Sequence, residues 1–310
     1  FWTPMVTMLA FSVAFALPFT IFAMFPSLLK KLKSGSWLNS VKVVLGFIEV
    51  ALGFKFLSVA DQTYHWGLLD REIYLAIWIV VFTLLGLYLL GKIRFEADSE
   101  VKHIGVFRLA LVIIDFTFVA YLIPGMFGAP LKALAGYLPP IESQDFVVWN
   151  TRSGSMPSAG PVSQVNENKY GLEMPLGLSG YFNLDEGLAA AKAAGKPVFV
   201  DITGHGCVNC REMEQRVWSD PRVLDILRNE YILVALYTDD KTKLPESEWV
   251  TAENGKVLKD MGRINSYVAR NRFGVNAQPN YVLLSPDGAQ LMPIRGYNLD
   301  VDGFIEFLKS

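Results

Sequence analysis

The sequence DITGHGCVNCREME occupies residues 201–214 and contains both cysteines of the 310-residue chain. Cys207 and Cys210 stand in C-x-x-C spacing between an apolar, strand-like run at 197–202 and a helix-like run at 210–218. The pair is therefore predicted at the N-terminus of a helix, where unpaired backbone N–H groups and the helix dipole favour a thiolate. We expect Cys207 to be the reactive thiol, with a pKa lowered toward ~7. Cys210 would then resolve the mixed disulfide that Cys207 forms with a partner.

Other roles for the two cysteines fit the sequence less well. A zinc site usually needs four nitrogen or sulfur ligands, and the chain adds only His65, His103 and His205 to its cysteines. Covalent haem attachment requires a histidine directly after the second cysteine, but Arg211 stands there. A structural disulfide across so short a loop would restrict the unfolded chain little. The sequence favours redox chemistry at the dithiol, with neither a metal nor an organic cofactor.

The first 130 residues are much more apolar than the rest of the chain, in which hydrophobic residues make up 52% overall. Charge-poor runs in this part are long enough to cross ~30 Å of hydrocarbon as helices. We predict an all-α membrane region over residues 1–130, with four transmembrane helices at about 5–29, 41–59, 73–91 and 104–127. The formal net charge of −2 gives no reason to expect a nucleic acid as a partner.

Basic residues are distributed unevenly among the loops between these helices. The second loop offers Arg71 against three acidic residues, whereas the first and third loops contain most of the basic ones, namely Lys30, Lys31, Lys33, Lys92, Arg94 and Lys102. By the positive-inside rule the first and third loops are cytoplasmic, so both ends of the chain lie outside. In a bacterium with two membranes, this predicts a multi-pass protein of the inner membrane whose C-terminal domain is periplasmic.

Three ionisable residues inside the predicted spans, Glu49, Lys55 and Asp115, are candidates for a function in the membrane. Such groups cost roughly 2.5 to 3.5 kcal/mol each to insert, which makes them rare without a role. Glu49 shares a helix face with Gly46 and Gly53, which permit close approach of a neighbouring helix. We expect Glu49 to make a buried polar contact or to act in gating. Snorkelling of Lys55 to the membrane surface remains an equal alternative for that residue.

Residues 131–180 are predicted to form a periplasmic linker, since proline, glycine, serine and asparagine replace the apolar pattern there. As a flexible coil of ~40 residues it would span about 35 Å, enough for the next domain to swing between partners. Packing of residues 171–182 along the domain surface is the alternative.

Residues 181–310 alternate helical and strand-like patterns, which is typical of a mixed sheet with helices on both faces. The predicted helices are 184–194, 207–218 with a continuation to 229, 257–272 and 301–309, and the predicted strands are 197–201, 232–237, 281–285 and 289–294.

The dithiol and a second segment, FGVNAQP at residues 273–279, resemble the thioredoxin fold. In that fold the proline, here Pro279, is cis and faces the dithiol. The backbone of the residue before it, here Gln278, pairs with the partner chain. Together with the apolar spans, and with Val208 and Asn209 between the cysteines, these segments resemble the C-terminal half of the DsbD family of thiol:disulfide interchange proteins.

The resemblance implies a membrane-bound protein-disulfide reductase. Family members carry electrons from cytoplasmic thioredoxin through a membrane dithiol to the C-terminal thioredoxin-like domain. From there the electrons pass to an N-terminal periplasmic domain of the same protein, and on to disulfide isomerases and thioredoxin-like proteins of cytochrome c maturation. The spans of this chain contain no cysteine, so we expect the membrane dithiol and the N-terminal domain to lie upstream of Phe1.

By this resemblance Cys207 and Cys210 are the active pair, and Asp201 and Glu214 are the two acidic residues close to it. A carboxylate beside a thiol disfavours the thiolate, so these acids would hold Cys207 less acidic until a partner docks. Gly206 stands where the family often has tryptophan, which changes the surface offered to partners.

Three other functions remain compatible with the sequence. The chain would be a tethered thiol oxidase or isomerase if the spans were only an anchor. It would be a transporter or channel subunit with a redox-sensing domain if the spans moved a substrate. A structural docking module whose dithiol has no redox function is the third.

Overall fold

The structure, a computed structural model, describes residues 36–96, 98, 100–101, 103–144 and 169–309, together with isolated helical positions between residues 6 and 24. Apart from those positions, the predicted first span at 5–29 and the first basic loop lie outside the described residues. The same holds for the middle of the predicted linker, residues 145–168.

Three long apolar helices form the described membrane region: α1 (Ser36–Tyr64), α2 (Arg71–Leu89) and α3 (Val106–Leu122). Their apolar stretches, Asn39–Tyr64, Arg71–Leu89 and Val106–Phe127, are each long enough to span a bilayer. These helices confirm the fold class predicted for this part of the chain. The helix α1 is longer than the predicted span 41–59, and it ends where His65 adopts a left-handed backbone with φ of 55°.

Short helical turns follow α3, over the end of the predicted fourth span and the start of the predicted linker. They comprise Ile123–Phe127, Lys132–Leu134 and Ile141–Ser143. The buried Arg71 guanidinium donates hydrogen bonds to the carbonyl oxygens of Pro139 at 2.6 Å and Ala129 at 3.3 Å. Because these bonds join the turns to the start of α2, residues 123–144 have a defined structure.

Over its described residues, the C-terminal domain contains seven strands and five α-helices. The strands are β1 (Gly180–Tyr181), β2 (Val198–Thr203), β3 (Ile232–Tyr237), β4 (Val250–Thr251), β5 (Val257–Leu258), β6 (Asn280–Leu284) and β7 (Arg295–Gly296); the helices are α4 (Leu184–Ala194), α5 (Val208–Met213), α6 (Pro221–Glu230), α7 (Met261–Phe273) and α8 (Val301–Lys309). Five of the strands form a mixed sheet with the order β1-β3-β2-β6-β7. The central strand β2 pairs in parallel with β3 and antiparallel with β6.

Alternate residues of β2 enter two separate cores because successive strand side chains point to opposite faces. Phe199 packs with Trp218 and Phe304 on one face. Val200 packs with Ala191 of α4 on the other face. The predicted mixed sheet with helices on both faces is thus confirmed.

Two predicted elements of the domain were wrong. Residues 257–258, predicted as the start of a helix, form β5 and pair with β4, and the helix α7 begins only after Asp260. The Asp260 carboxylate accepts a hydrogen bond from Arg263 N at 3.1 Å, which is the N-cap signal that fixes this start. The predicted strand 289–294 is reduced to one bridge at Gln290, because Pro293 has no N–H to donate, and pairing resumes only in β7.

The last part of the predicted linker belongs to the domain. Tyr170, Leu172, Met174 and Leu178 are buried in the same core as Phe199. The apolar side chains of this segment therefore extend the core, which goes further than the surface packing considered as the alternative to a free coil.

Candidate active site

The two cysteines form a disulfide at the start of α5, with Cα atoms 5.2 Å apart. Cys207 is the N-cap of this helix, and its Sγ accepts a hydrogen bond from the backbone N–H of Cys210 at 3.1 Å. That N–H is one of the helix-terminal donors that would stabilise a Cys207 thiolate after reduction. Cys210 is 1% exposed and Cys207 is 7% exposed, so both sulfurs are covered in this conformation.

The cover over the dithiol comes from outside the thioredoxin-like sheet. A Cβ placed on Gly136, in the turns after α3, would lie 2.3 Å from Val208 Cγ1 and 2.9 Å from Val208 O. A Cβ on Gly206 would lie 3.2 Å from Val59 Cγ1 of α1. The C-x-x-C loop therefore faces the end of α1 and the turns after α3, and at Gly136 there is no room for a side chain.

Replacing Gly136 with alanine should push these turns away from Val208, because the new methyl group would meet backbone as well as side chain. We expect reduced Cys207 in Gly136→Ala to react several-fold faster with a bulky maleimide than in the parent chain. The matched control is Gly53→Ala in α1, where an added Cβ meets nothing within 4 Å. Equal alkylation rates in all three proteins would show that the turns do not restrict access.

Two acidic residues and one arginine are buried beneath the dithiol loop: Asp201 on β2, Arg211 on α5, and Glu214 directly after α5. Arg211 Nη1 lies 2.9 Å from Glu214 Oε2. Burial raises the pKa of Glu214 to about 8, although the charge of Arg211 lowers it in part. Burial likewise raises the pKa of Asp201 to about 7. Both carboxyl groups therefore take up a proton at a higher pH than exposed carboxyl groups do.

The raised pKa of Glu214 has a definite consequence for stability. An unfolded chain releases this proton near the ordinary pKa of 4.5, whereas the folded domain keeps it up to about 8. The folded state thus binds more protons between these values, so the contribution of Glu214 to the free energy of unfolding falls as pH rises from about 4.5 to about 8. We expect Glu214→Gln to flatten this fall, measured as the urea midpoint in pulse proteolysis at pH 5, 6.5 and 8. Glu212→Gln, at a half-buried neighbour whose pKa is lowered, should keep the parent slope; an unchanged slope in Glu214→Gln would contradict the burial argument.

The peptide bond between Gln278 and Pro279 is cis, as the resemblance implied. The Gln278 side-chain oxygen accepts a hydrogen bond from Thr238 Oγ1 at 3.0 Å. A Cβ on Gly204 would lie 2.6 Å from the same oxygen, which places Gln278 against the turn that precedes Cys207. Pairing of this segment with a partner chain stays a prediction.

The three membrane candidates lie in different environments. Asp115 is buried, and its Oδ2 has no hydrogen-bond partner among the residues that the structure describes. A Cβ on Gly86 would lie 2.6 Å from that oxygen, so the glycine makes room for the carboxyl group. Lys55 is half-buried, and Glu49 lies on an exposed face of α1. The buried contact expected for Glu49 is not formed within the described part of the chain.

Sequence reasoning missed the contacts of two residues near the dithiol. Arg211 was considered only as an argument against haem, although its i,i+3 spacing to Glu214 was a usable sign of an ion pair. Asp239 follows β3, and its carboxylate accepts hydrogen bonds from His205 N and Gly206 N, both at 2.9 Å. Asp239 thereby holds the turn that leads to Cys207, and no local pattern in the sequence indicated this contact across 33 residues.

Comparison with known proteins agrees with this geometry. Residues 184–310 match a thioredoxin-like domain family. The thiol:disulfide interchange protein DsbD 2 of Pseudomonas aeruginosa is 27% identical over 276 residues, which cover 88% of this chain and 38% of that protein. The protein DsbD of Pseudoalteromonas atlantica is 25% identical, over 67% of this chain and 28% of its own length. The chain thus spans well under half of the length of these relatives.

Solved structures show similarity over less than half of this chain. A thioredoxin from Thermus thermophilus is 24% identical, with a TM-score of 0.31, and the match covers 42% of this chain and 84% of that one. The C-terminal domain of Neisseria meningitidis DsbD in its oxidised form is 17% identical, with a TM-score of 0.30, and the match covers 42% of this chain and 97% of that one. The sequence matches run through the membrane helices as well as the disulfide-bearing domain, and over that length the chain is similar to thiol:disulfide interchange proteins named DsbD.

Proposed function

We propose that this chain acts in a membrane-bound protein-disulfide reductase, with Cys207 and Cys210 as the exchange centre. The Cys207 thiolate attacks one sulfur of a partner disulfide, which forms a mixed disulfide and releases the first partner thiolate. The Cys210 thiolate then attacks Cys207 Sγ, which closes the Cys207–Cys210 disulfide and releases the second. Two electrons pass to the partner, whose thiolates take up two protons.

The observation that carries this proposal is the position of the disulfide at the N-terminus of α5 in a thioredoxin-like domain. Charge on the buried Asp201 favours the reducing direction over the oxidising one. A strong thiol oxidant has its reduced form stabilised, commonly as a thiolate of low pKa. Asp201, with a pKa of about 7, is partly ionised at neutral pH, and its negative charge disfavours a nearby thiolate.

The electron supply in this proposal is cytoplasmic thioredoxin, acting through a membrane dithiol outside this chain. The domain would then face the periplasm from the inner membrane, as the basic residues Lys92 and Arg94 between α2 and α3 support by the positive-inside rule. Its targets would be periplasmic thioredoxin-like proteins, namely disulfide isomerases and proteins of cytochrome c maturation.

The reduction potential of the Cys207–Cys210 pair tests the direction of transfer. Equilibration of the chain with thiol redox buffers, followed by alkylation of free thiols, should give a value near that of thioredoxin, about −270 mV, which lies far below about −120 mV for the oxidant DsbA. A value above about −150 mV would reject a reductase and favour the tethered oxidase or isomerase.

A further inference from the structure

Three polar side chains converge beside the dithiol loop from distant parts of the sequence. His65 Nε2 lies 2.8 Å and His205 Nε2 lies 2.9 Å from the same atom, Oδ2 of Asp240. His65 directly follows α1, His205 stands two residues before Cys207, and Asp240 lies in the loop after β3. These ligand atoms all lie within 4.8 Å of one another.

Backbone contacts fix the positions of all three groups. His65 has the left-handed φ of 55°, an uncommon conformation outside glycine, which turns the chain at the end of α1. Thr63 O, two residues earlier, accepts a hydrogen bond from Lys241 N at 3.1 Å, directly beside Asp240. The other Asp240 oxygen accepts from Thr242 N at 2.7 Å. The His205 ring stacks on Tyr237 with centroids 4.6 Å apart.

The donor set and its spacing suit a divalent transition-metal ion. Imidazole nitrogen binds zinc at about 2.0–2.1 Å and carboxylate oxygen at about 2.0–2.2 Å, so neighbouring ligands of a tetrahedral ion are ~3.3 Å apart. Small side-chain rotations would open the present 2.8 and 2.9 Å separations to that value. The second oxygen of Asp240 is already held by a backbone N–H, as the outer contacts of metal ligands commonly are.

The burial of the three side chains also fits a metal site with three protein ligands and one open position. The side chain of Asp240 is 0% exposed and that of His205 is 8% exposed, whereas that of His65 is 31% exposed. Both histidines line a cavity of 330 Å³, together with Asp61, Gln62 and Glu142. Solvent in this cavity can supply a water molecule as the fourth ligand, as in zinc sites that keep one open position.

We propose that His65, His205 and Asp240 bind one divalent ion of the zinc class through two imidazole nitrogens and one carboxylate. The site uses neither cysteine, so it differs from the zinc site that the sequence analysis considered at the C-x-x-C pair. An ion there joins the end of α1 to the turn that leads into Cys207. The alternative is that no ion binds and the two histidines only donate hydrogen bonds to Asp240. The experiment must distinguish this arrangement from a metal site.

Cobalt(II) is a suitable probe because its visible absorption reports coordination by the protein. The chain, prepared without a polyhistidine tag, stripped of metal and held in the disulfide form, is titrated in lipid nanodiscs, so that neither cysteine acts as a ligand. We expect one cobalt ion per chain, with intense visible bands that zinc abolishes by competition. The variants His65→Gln and His205→Gln should each bind about tenfold more weakly or worse, while His103→Gln, at an exposed histidine between α2 and α3, should bind as the parent does.

Two results would overturn the metal site. One is the absence of a protein-dependent cobalt spectrum in the parent chain. The other is a spectrum that persists at the same affinity in His65→Gln, a variant that changes a partly exposed side chain outside the thioredoxin-like domain and so leaves that domain folded.

Discussion

Replacing Cys207 with serine should abolish disulfide reduction by this chain, because a serine hydroxyl does not ionise near neutral pH and its oxygen forms no disulfide with a partner. Cys210→Ser should also stop turnover, but by a different route. The Cys207 thiol still attacks, and the mixed disulfide then accumulates because nothing resolves it. The measurement is the reduction of a disulfide-bonded protein substrate, combined with non-reducing gel electrophoresis of the trapped species.

The two variants control for each other, since each removes one sulfur from the same loop. Cys207 should be the attacking residue because its Sγ lies at the helix N-terminus and is the more exposed of the two, at 7% against 1%. Accumulation of the mixed disulfide in Cys207→Ser instead of Cys210→Ser would exchange the two roles.

Replacing Arg211 with methionine should cost the domain up to about 3–5 kcal/mol of stability at pH 9, where Glu214 is mostly ionised in the parent and loses its partner, because a buried charge without a partner is strongly destabilising. Arg211 is buried and lies 2.9 Å from the buried Glu214 carboxylate. The loss should shrink at pH 5, because Glu214, with a pKa of about 8, is then protonated and no longer needs a counter-charge. Urea titration with pulse proteolysis of the chain in detergent measures both values.

The matched control is Arg216→Met, five residues after Arg211. Arg216 pairs with Glu212 at 2.7 Å, but its side chain is 48% exposed. Exposed pairs contribute about 0–1 kcal/mol, so this variant should change stability little at either pH. Equal losses in the two variants, or a loss in Arg211→Met that does not depend on pH, would contradict a buried ion pair below the dithiol.

The elements with strong local signals were predicted to the residue. The bounds of α4 match because Asn183 caps its start with a side chain that accepts from two backbone N–H groups, and Gly195 ends it in the left-handed region. The buried strand β3 was equally clear as an apolar run. The short strand β5 was missed because it forms only by pairing with β4, and no local sequence pattern predicts that pairing.

The candidate site was predictable where its chemistry depends on adjacent residues. Spacing identified Cys207 and Cys210, and the resemblance identified the cis Gln278–Pro279 bond. The cover provided by Gly136 was not predictable, because it depends on how residues 123–144 fold back onto the domain. The contact between His65 and Asp240 was not predictable for the same reason, since 175 residues separate them.

We expect the Cys207–Cys210 pair to be kept reduced by electrons from inside the cell. Thiol trapping in living cells that make the protein, with and without cytoplasmic thioredoxin, tests this claim most directly. We expect the two cysteines to be alkylated as free thiols in the presence of thioredoxin and to be found as the disulfide in its absence. A pair that stays reduced after thioredoxin is removed would contradict the proposed supply.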